Sequence, residues 1–268
     1  MVELESLPQP ATGGDQPSQV PSQPPPLENG ESLNATEFLR RYEGMPESTK
    51  AQLIQGTVYI MSPVSLDHGE PDNLLQMWLG VYAVSTPGVK SATNTTTKLS
   101  ADDVPQPDGL LRILPDYGGQ SQSGTYLLGA PELGVEIALS STSIDANAKK
   151  TSYRRAGMQE YLVWRTRQGQ IDWWQLVDDD YQLIEPDENG VLKSRVFPGL
   201  WLDPKALLED DGARLLAVLS EGLASTDHTA FVGKLQKTRG EVLVPRGKAD
   251  SSSQAAPNNE RLPHEPRT

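Results

Sequence analysis

The chain has 268 residues with 23 Lys and Arg against 36 Asp and Glu, a net charge of −13. That balance excludes a protein that coats polyanions or anionic membranes nonspecifically, which would be basic. There is no cysteine, which removes disulfide frameworks, thiolate zinc sites, iron–sulfur clusters and Cys nucleophiles. The N-terminus, MVELESLPQP, lacks a basic n-region and an apolar h-region, and no run approaches the roughly 18 apolar residues of a membrane span. A soluble, cytoplasmic protein with no membrane partner is expected.

Residues 1–31 hold seven prolines, five acids and neither Lys nor Arg. No apolar face of either period can form there, so a disordered leader is expected. Asn34 is placed to cap a helix with Phe38, Leu39 and Tyr42 on its apolar side, and Glu37 is placed to reach back as in a capping box. LIQGTVYIM, two short β-prone runs around Gly56, reads as a hairpin. Residues 73–84 space their apolar side chains for a core-facing helix, and residues 89–99, rich in Thr and Val, read as a strand.

Strands follow at 109–114 and at 133–139, LGVEIAL, a continuous apolar run broken by one acid. Residues 145–156 read as a helix ended by Gly157, where a left-handed cap is free of steric penalty. Further strands are expected at 161–164, 171–177 and 181–184, with a turn at 178–180. Residues 198–202 lead to a helical region at 204–223 interrupted near 210–212, and from about residue 239 the chain reads as a disordered tail. The expected fold class is α/β, a mixed sheet with helices on its faces. One domain is expected over 32–237, between a leader at 1–31 and a tail at 238–268.

The chemistry concentrates on few residues. Glu136 sits in the middle of an apolar strand, where an ionised carboxylate is expensive unless a cation or donor compensates it. Asp108 stands at the entry of the preceding strand, after Pro105 and Pro107. Two carboxylates on neighbouring strands, without thiols or clustered histidines, suit a hard divalent cation such as Mg²⁺. Lys149 lies on the next helix, with Asp145 one turn before it and Tyr153 one turn after, so that the three share a stripe. An ammonium there would hold a metal-bound water and offset charge growing on a phosphoryl oxygen. Lys150, Arg154 and Arg155 make this helix locally basic, which fits either a phosphate backbone or an ordinary solvated face.

At these residues the chain resembles the PD-(D/E)xK nuclease superfamily, and more closely the Uma-two type restriction endonuclease family. The resemblance spans about residues 33–235 and rests on the order and spacing of LIQGTVYIMSPVSLDHG, PQPDGLL, GAPELGVEIALSSTSIDANAKKTSYRRAGMQEYLVWR and SRVFPGLWLDPKALL. It implies a restriction endonuclease-like core with a central mixed sheet, a phosphodiesterase-type site that uses Mg²⁺ or Mn²⁺, no organic cofactor, and DNA as substrate. Asp108 matches the aspartate of the PD element and Glu136 the acid of the core strand. The lysine usual two residues after that acid is replaced by Ala138, and Lys149 matches a lysine moved to the next helix. Tyr153, Gly157, Glu160 and Tyr161 match family positions, and His68 matches the histidine after the MSP element. Where relatives carry a glutamate before the Leu-Ile-x-Gly turn, this chain has Gln52, which can hydrogen-bond but brings no charge.

Other readings fit the same residues. Asp108 could initiate a turn after Pro107, and Glu136 could form a structural ion pair with Lys149 or Arg154. His68 fits a loop or helix-cap residue as well as a substrate or proton-transfer role. His228 and His264 are assigned to the surface and the tail, and Trp164, Trp173, Trp174 and Trp201 to the core or strand faces. Residues 140–143 are expected to be a helix-capping loop. The site expected is therefore Asp108 and Glu136 on a metal, Lys149 orienting the attacking water, and Gln52, His68 and Tyr153 completing the pocket. The alternative is a decayed nuclease scaffold acting as a nucleic-acid or protein-interaction module, favoured by Gln52, the acidity of the folded part and the missing strand lysine. A nuclease that cuts both strands of a duplex would be served by a homodimer, although no exposed apolar stripe marks an interface.

Overall fold

A computed structural model describes residues 24–138 and 145–243. In chain order they form α1 (Ala35–Tyr42), the strands β1 (Ala51–Ile54) and β2 (Thr57–Ile60), and α2 (Leu66–Ser85). Next come β3 (Val89–Thr93), β4 (Thr97–Lys98), β5 (Gly109–Ile113), β6 (Gln122–Ser123), β7 (Leu127–Leu128) and β8 (Leu133–Ala138). A π-helical turn, Asp145–Lys149, opens α3 (Lys150–Arg155). The chain continues through β9 (Glu160–Arg165), β10 (Gln170–Val177), β11 (Asp180–Leu183), β12 (Leu192–Lys193), β13 (Trp201–Leu202), α4 (Pro204–Leu208), α5 (Gly212–Leu223) and α6 (Thr226–Leu243).

The central sheet has the order β11-β10-β9-β8-β5-β3. Its neighbours pair antiparallel except β8 and β9, which run parallel because the connection carrying α3 crosses over between them. Every residue of β8 is buried, as expected of a strand covered on both faces. Leu133, Val135 and Ile137 face a core that includes Trp78 and Leu79 of α2 and Leu215 and Leu219 of α5. On the other face, Ala138 packs in a second cluster with Tyr153 and Tyr161. A third, smaller core joins Phe38 of α1 to Leu53 and Val58 of the β1–β2 hairpin.

Several boundaries depart from the sequence reading, each for a local reason. Asn34 caps α1 by accepting from the Glu37 N–H at 3.0 Å, but the Glu37 carboxylate binds Arg40 instead of reaching back. Helix α2 starts at Leu66, before Gly69 and Pro71, because Pro71 costs only its bond to the Asp67 carbonyl in the opening turns. The stretch 89–99 breaks at Asn94, whose φ of 48° turns the chain into the separate small sheet β4-β7-β6. Helix α3 ends as expected, with Gly157 at φ 77°. Residues 24–31, counted within the leader, pack on α1: Leu27 is buried, and Arg41 binds the carbonyls of Pro25 and Pro26 and the Glu31 carboxylate. Helix α6 carries helical structure to Leu243, beyond the boundary assigned to the tail. His228, assigned to the surface, is buried against Thr86 Oγ1, with its Nδ1 2.9 Å from the Leu223 carbonyl. Residues 140–143 and His264 lie outside the described residues.

Candidate active site

Glu136 points to the α3 side of the sheet, where it is 2% exposed. Its Oε2 accepts from Lys149 Nζ at 2.8 Å and its Oε1 from the Tyr153 hydroxyl at 2.6 Å. Lys149 is also 2% exposed. The three side chains meet because β8 places the acid on the inner face of the crossover. Lys149 and Tyr153 then lie four residues apart across the junction of the π-helical turn and α3. Such π-helical turns are frequent at functional sites.

Asp108 adjoins this group without entering it. The β5–β8 ladder ends at Gly109↔Val135, so one further step sets Asp108 opposite Glu136. Its carboxylate turns along the strand end, where Oδ2 accepts the Ile137 N–H at 2.7 Å and lies 3.6 Å from His68 Nε2 on the first turn of α2. The Glu136–Ile137 peptide thus joins two sets: Glu136, Lys149 and Tyr153 on one side, Asp108 and His68 on the other. Gln52 lies on β1, buried, with its Nε2 3.3 Å from Met61 Sδ and its Oε1 without a hydrogen-bond partner. The hairpin that carries it is docked on the same helix. Asp103 accepts from Gln55 N–H and from Ser152 Oγ, and Gln55 Nε2 donates to the Ala148 carbonyl at 3.4 Å. Gln52 is in neither set.

Two residues of α2 belong to the site and were not singled out by sequence. Gln76 Nε2 donates to both Asp72 Oδ1 at 2.9 Å and the Asp108 carbonyl at 2.8 Å, tying the helix to the start of β5. Burial holds the Asp72 carboxyl above its usual value; the Gln76 amide opposes the shift and the negative charge of Asp108 adds to it. His68, Asp72 and Gln76 form one stripe at a spacing of four, a signal available only once α2 is extended to Leu66.

Asp108 and Glu136 are oxygen donors of the kind Mg²⁺ takes, one or two carboxylates with water completing the shell. Among the described residues, no group of three His, Cys, Asp or Glu is placed to hold a metal. A thiolate or histidine-rich centre therefore does not fit, whereas a hydrated hard cation fits the donor set. Lys150 and Arg154 are engaged locally, Lys150 over the Trp174 ring at 3.8 Å and Arg154 with the Asp179 carbonyl at 2.8 Å. Trp164, Trp173 and Trp174 are buried, leaving no exposed stacking platform on those rings.

The family model Uma2, described as "Putative restriction endonuclease", matches residues 35–205. The chain belongs to this family. The match takes in Asp108, Glu136, Lys149 and His68 together with α2 and all six strands of the central sheet, β3, β5, β8, β9, β10 and β11. The fold of this Uma2 protein is similar to that in the crystal structure, at 1.96 Å, of a "putative nuclease belonging to DUF820" from Anabaena variabilis ATCC 29413. The two share 15% sequence identity at a TM-score of 0.51, over 64% of this chain and 97% of the other. No curated protein matches the chain. Among the described residues of this Uma2 protein, no helix is long and apolar enough to cross a membrane.

Proposed function

We propose that this Uma2 protein is a metal-dependent endonuclease that hydrolyses phosphodiester bonds of DNA. The observation that carries the reading is the buried Glu136 with Lys149 Nζ 2.8 Å away, which re-creates from the next helix the acid–lysine pair that the strand itself lacks at Ala138. Glu136 is buried in the middle of an apolar strand, where an ionised carboxylate is costly without the cation that Lys149 supplies.

Asp108 and Glu136 would hold Mg²⁺ or Mn²⁺, which when bound would supply Lewis-acid stabilisation of a phosphoryl oxygen and an acidified water. Lys149 sets a positive charge against Glu136 and supplies N–H donors that orient the attacking water and offset charge on the phosphoryl group. Tyr153 fixes the Glu136 carboxylate by its hydrogen bond at 2.6 Å. His68 stands 3.6 Å from Asp108, within reach of proton exchange through one water.

The test is cleavage of supercoiled plasmid, single-stranded DNA and RNA by purified protein with Mg²⁺ or Mn²⁺, alongside Glu136→Ala. Cleavage of DNA that disappears in the variant supports the reading. No cleavage of any substrate, or cleavage indifferent to Glu136, overturns it. A second reading, a decayed nuclease scaffold that binds nucleic acid or protein, draws on the uncharged Gln52 whose buried Oε1 has no hydrogen-bond partner. Calorimetry with Mg²⁺ separates the two, since a decayed site shows no binding that depends on Asp108.

A further inference from the structure

The sheet face that carries Glu136 continues to the edge strand β3, where it holds an unusual pair of charges. Lys90 on β3 and Arg112 on β5 are directly opposite in the register. Like charges so placed repel each other. Arg112 is only 7% exposed. Yet among the described residues its hydrogen bonding is confined to Nη2 donating to Ser123 Oγ at 2.8 Å, and it forms no ion pair. A guanidinium has five N–H donors, so most of those of Arg112 are not spent within the fold. Glu132 feels the Arg112 charge, but its own oxygens are taken by the N–H groups of Ile113 and Gln120. Among the described residues Arg112 thus lies near the Glu132 charge without an ion pair, and its donors beyond the Nη2–Ser123 bond are open to a ligand.

Both cations line a cavity of about 350 Å³ between the β3–β5 end of the sheet and the strands at 122–128. Leu110, Leu127 and Tyr126 line it as well, with Ser123 beside Arg112, and no Asp or Glu contributes to its wall. In a chain of net charge −13 a wall without acids is a local reversal of sign. Two cations and a hydroxyl fit a phosphate, the guanidinium taking it in bidentate fashion. The apolar and aromatic wall fits a flat ring.

We propose that this cavity binds one nucleotide, its phosphate between Lys90 and Arg112 and its base against Leu127 and Tyr126. The nucleotide belongs to the strand under attack. Arg112 lies four residues beyond Asp108 on β5, about 14 Å at the ~3.4 Å per residue of an antiparallel strand. The cavity therefore holds the strand away from the scissile bond. This assignment rests on the nuclease reading for the identity of the strand, but the binding itself needs no metal.

The test uses the full chain in EDTA, with calorimetric titration of dTMP, thymidine, inorganic phosphate and a short oligo-dT. Expected are binding of dTMP, binding weaker by roughly tenfold or more for thymidine and phosphate, and tighter binding of oligo-dT. Lys90→Glu, on an exposed side chain, and Arg112→Ala each weaken dTMP by roughly tenfold or more, while Asp108→Asn leaves it unchanged. Absence of dTMP binding at about 10 mM, or dTMP affinity indifferent to Lys90→Glu, overturns the site. Oligo-dT binding no tighter than dTMP overturns its assignment to the strand. Plasmid cleavage with Mg²⁺ is read separately: cleavage without dTMP binding removes this cavity and keeps the nuclease, whereas dTMP binding without cleavage does the reverse.

Discussion

Lys149 Nζ and Glu136 Oε2 are 2.8 Å apart in the interior, and each side chain is 2% exposed. At that burial neither charge is tolerable without the other, so the pair binds the crossover helix to β8 as well as equipping the site. Lys149→Met alone is expected to destabilise the fold by about 3–5 kcal/mol in urea titration, because the buried Glu136 loses the cation 2.8 Å from its Oε2. The double variant Lys149→Met with Glu136→Gln recovers most of that loss, while both variants lose DNA cleavage. Equal destabilisation by the single and double variants would show that the two charges are not coupled.

Asp108 separates from this pair in its energetics. Its carboxylate accepts a backbone N–H from Ile137 and is partly open to solvent beside His68. Asp108→Asn keeps an oxygen acceptor for Ile137, so a stability change within about 1 kcal/mol is expected by thermal melting. Cleavage, by contrast, is expected to fall by roughly a hundredfold or more, and Mg²⁺ binding by calorimetry is lost with it. A variant that still binds Mg²⁺ with unchanged affinity would remove Asp108 from the metal site.

Glu160 yields a pH prediction from a place remote from the chemistry. Its carboxylate is buried and accepts from Ser194 Oγ and from the N–H groups of Arg195 and Val196, pinning the 194–196 turn to the start of β9. Burial pushes it up from 4.5 to about 7, against the pull of those donors. The folded state therefore holds a proton that the unfolded chain has released between these values. Its contribution to stability is fully present below about pH 4.5 and is lost as pH rises towards 7. The slope from this one group is up to about 1.4 kcal/mol per pH unit. Urea midpoints between pH 5 and 7.5 should fall less steeply for Glu160→Gln than for the parent. Identical slopes would assign the dependence to other groups.

What sequence reasoning recovered and what it missed divide along physical lines. The run LGVEIA at 133–138 is short and continuously apolar, as an interior strand is, and its one acid called for the cation that Lys149 supplies. The spacing of Lys149 and Tyr153 is local and readable from the chain. Asp72 stayed hidden because Gly69 and Pro71 argue locally against a helix that tertiary packing extends over it, and Gln76, inside the helix expected at 73–84, then had no polar stripe to join. The Lys90–Arg112 pairing depends on the β3–β5 register, and nothing in either segment alone fixes which residues face each other. The last turns of helix α6, residues 238–243, read as tail because TRGEVL offers too few apolar residues to show a helical face.

Gln52 offers the sharpest test of whether the site is intact. It is buried, its Oε1 has no hydrogen-bond partner, and its amide nitrogen meets only the soft sulfur of Met61 at 3.3 Å. An amide so poorly satisfied is held at a cost of about 1–3 kcal/mol, which packing alone does not explain. If the position faces the metal in the loaded protein, Gln52→Glu adds a negative donor to Asp108 and Glu136. The variant is then expected to be less stable than the parent in EDTA, since it buries an unpaired charge. It is expected to recover that stability in saturating Mg²⁺, and to cut DNA roughly tenfold faster or more. Thermal melting with and without Mg²⁺ reads the first effect and plasmid cleavage the second. Destabilisation that Mg²⁺ leaves untouched would place Gln52 outside the metal's reach and make its amide a feature of hairpin packing alone.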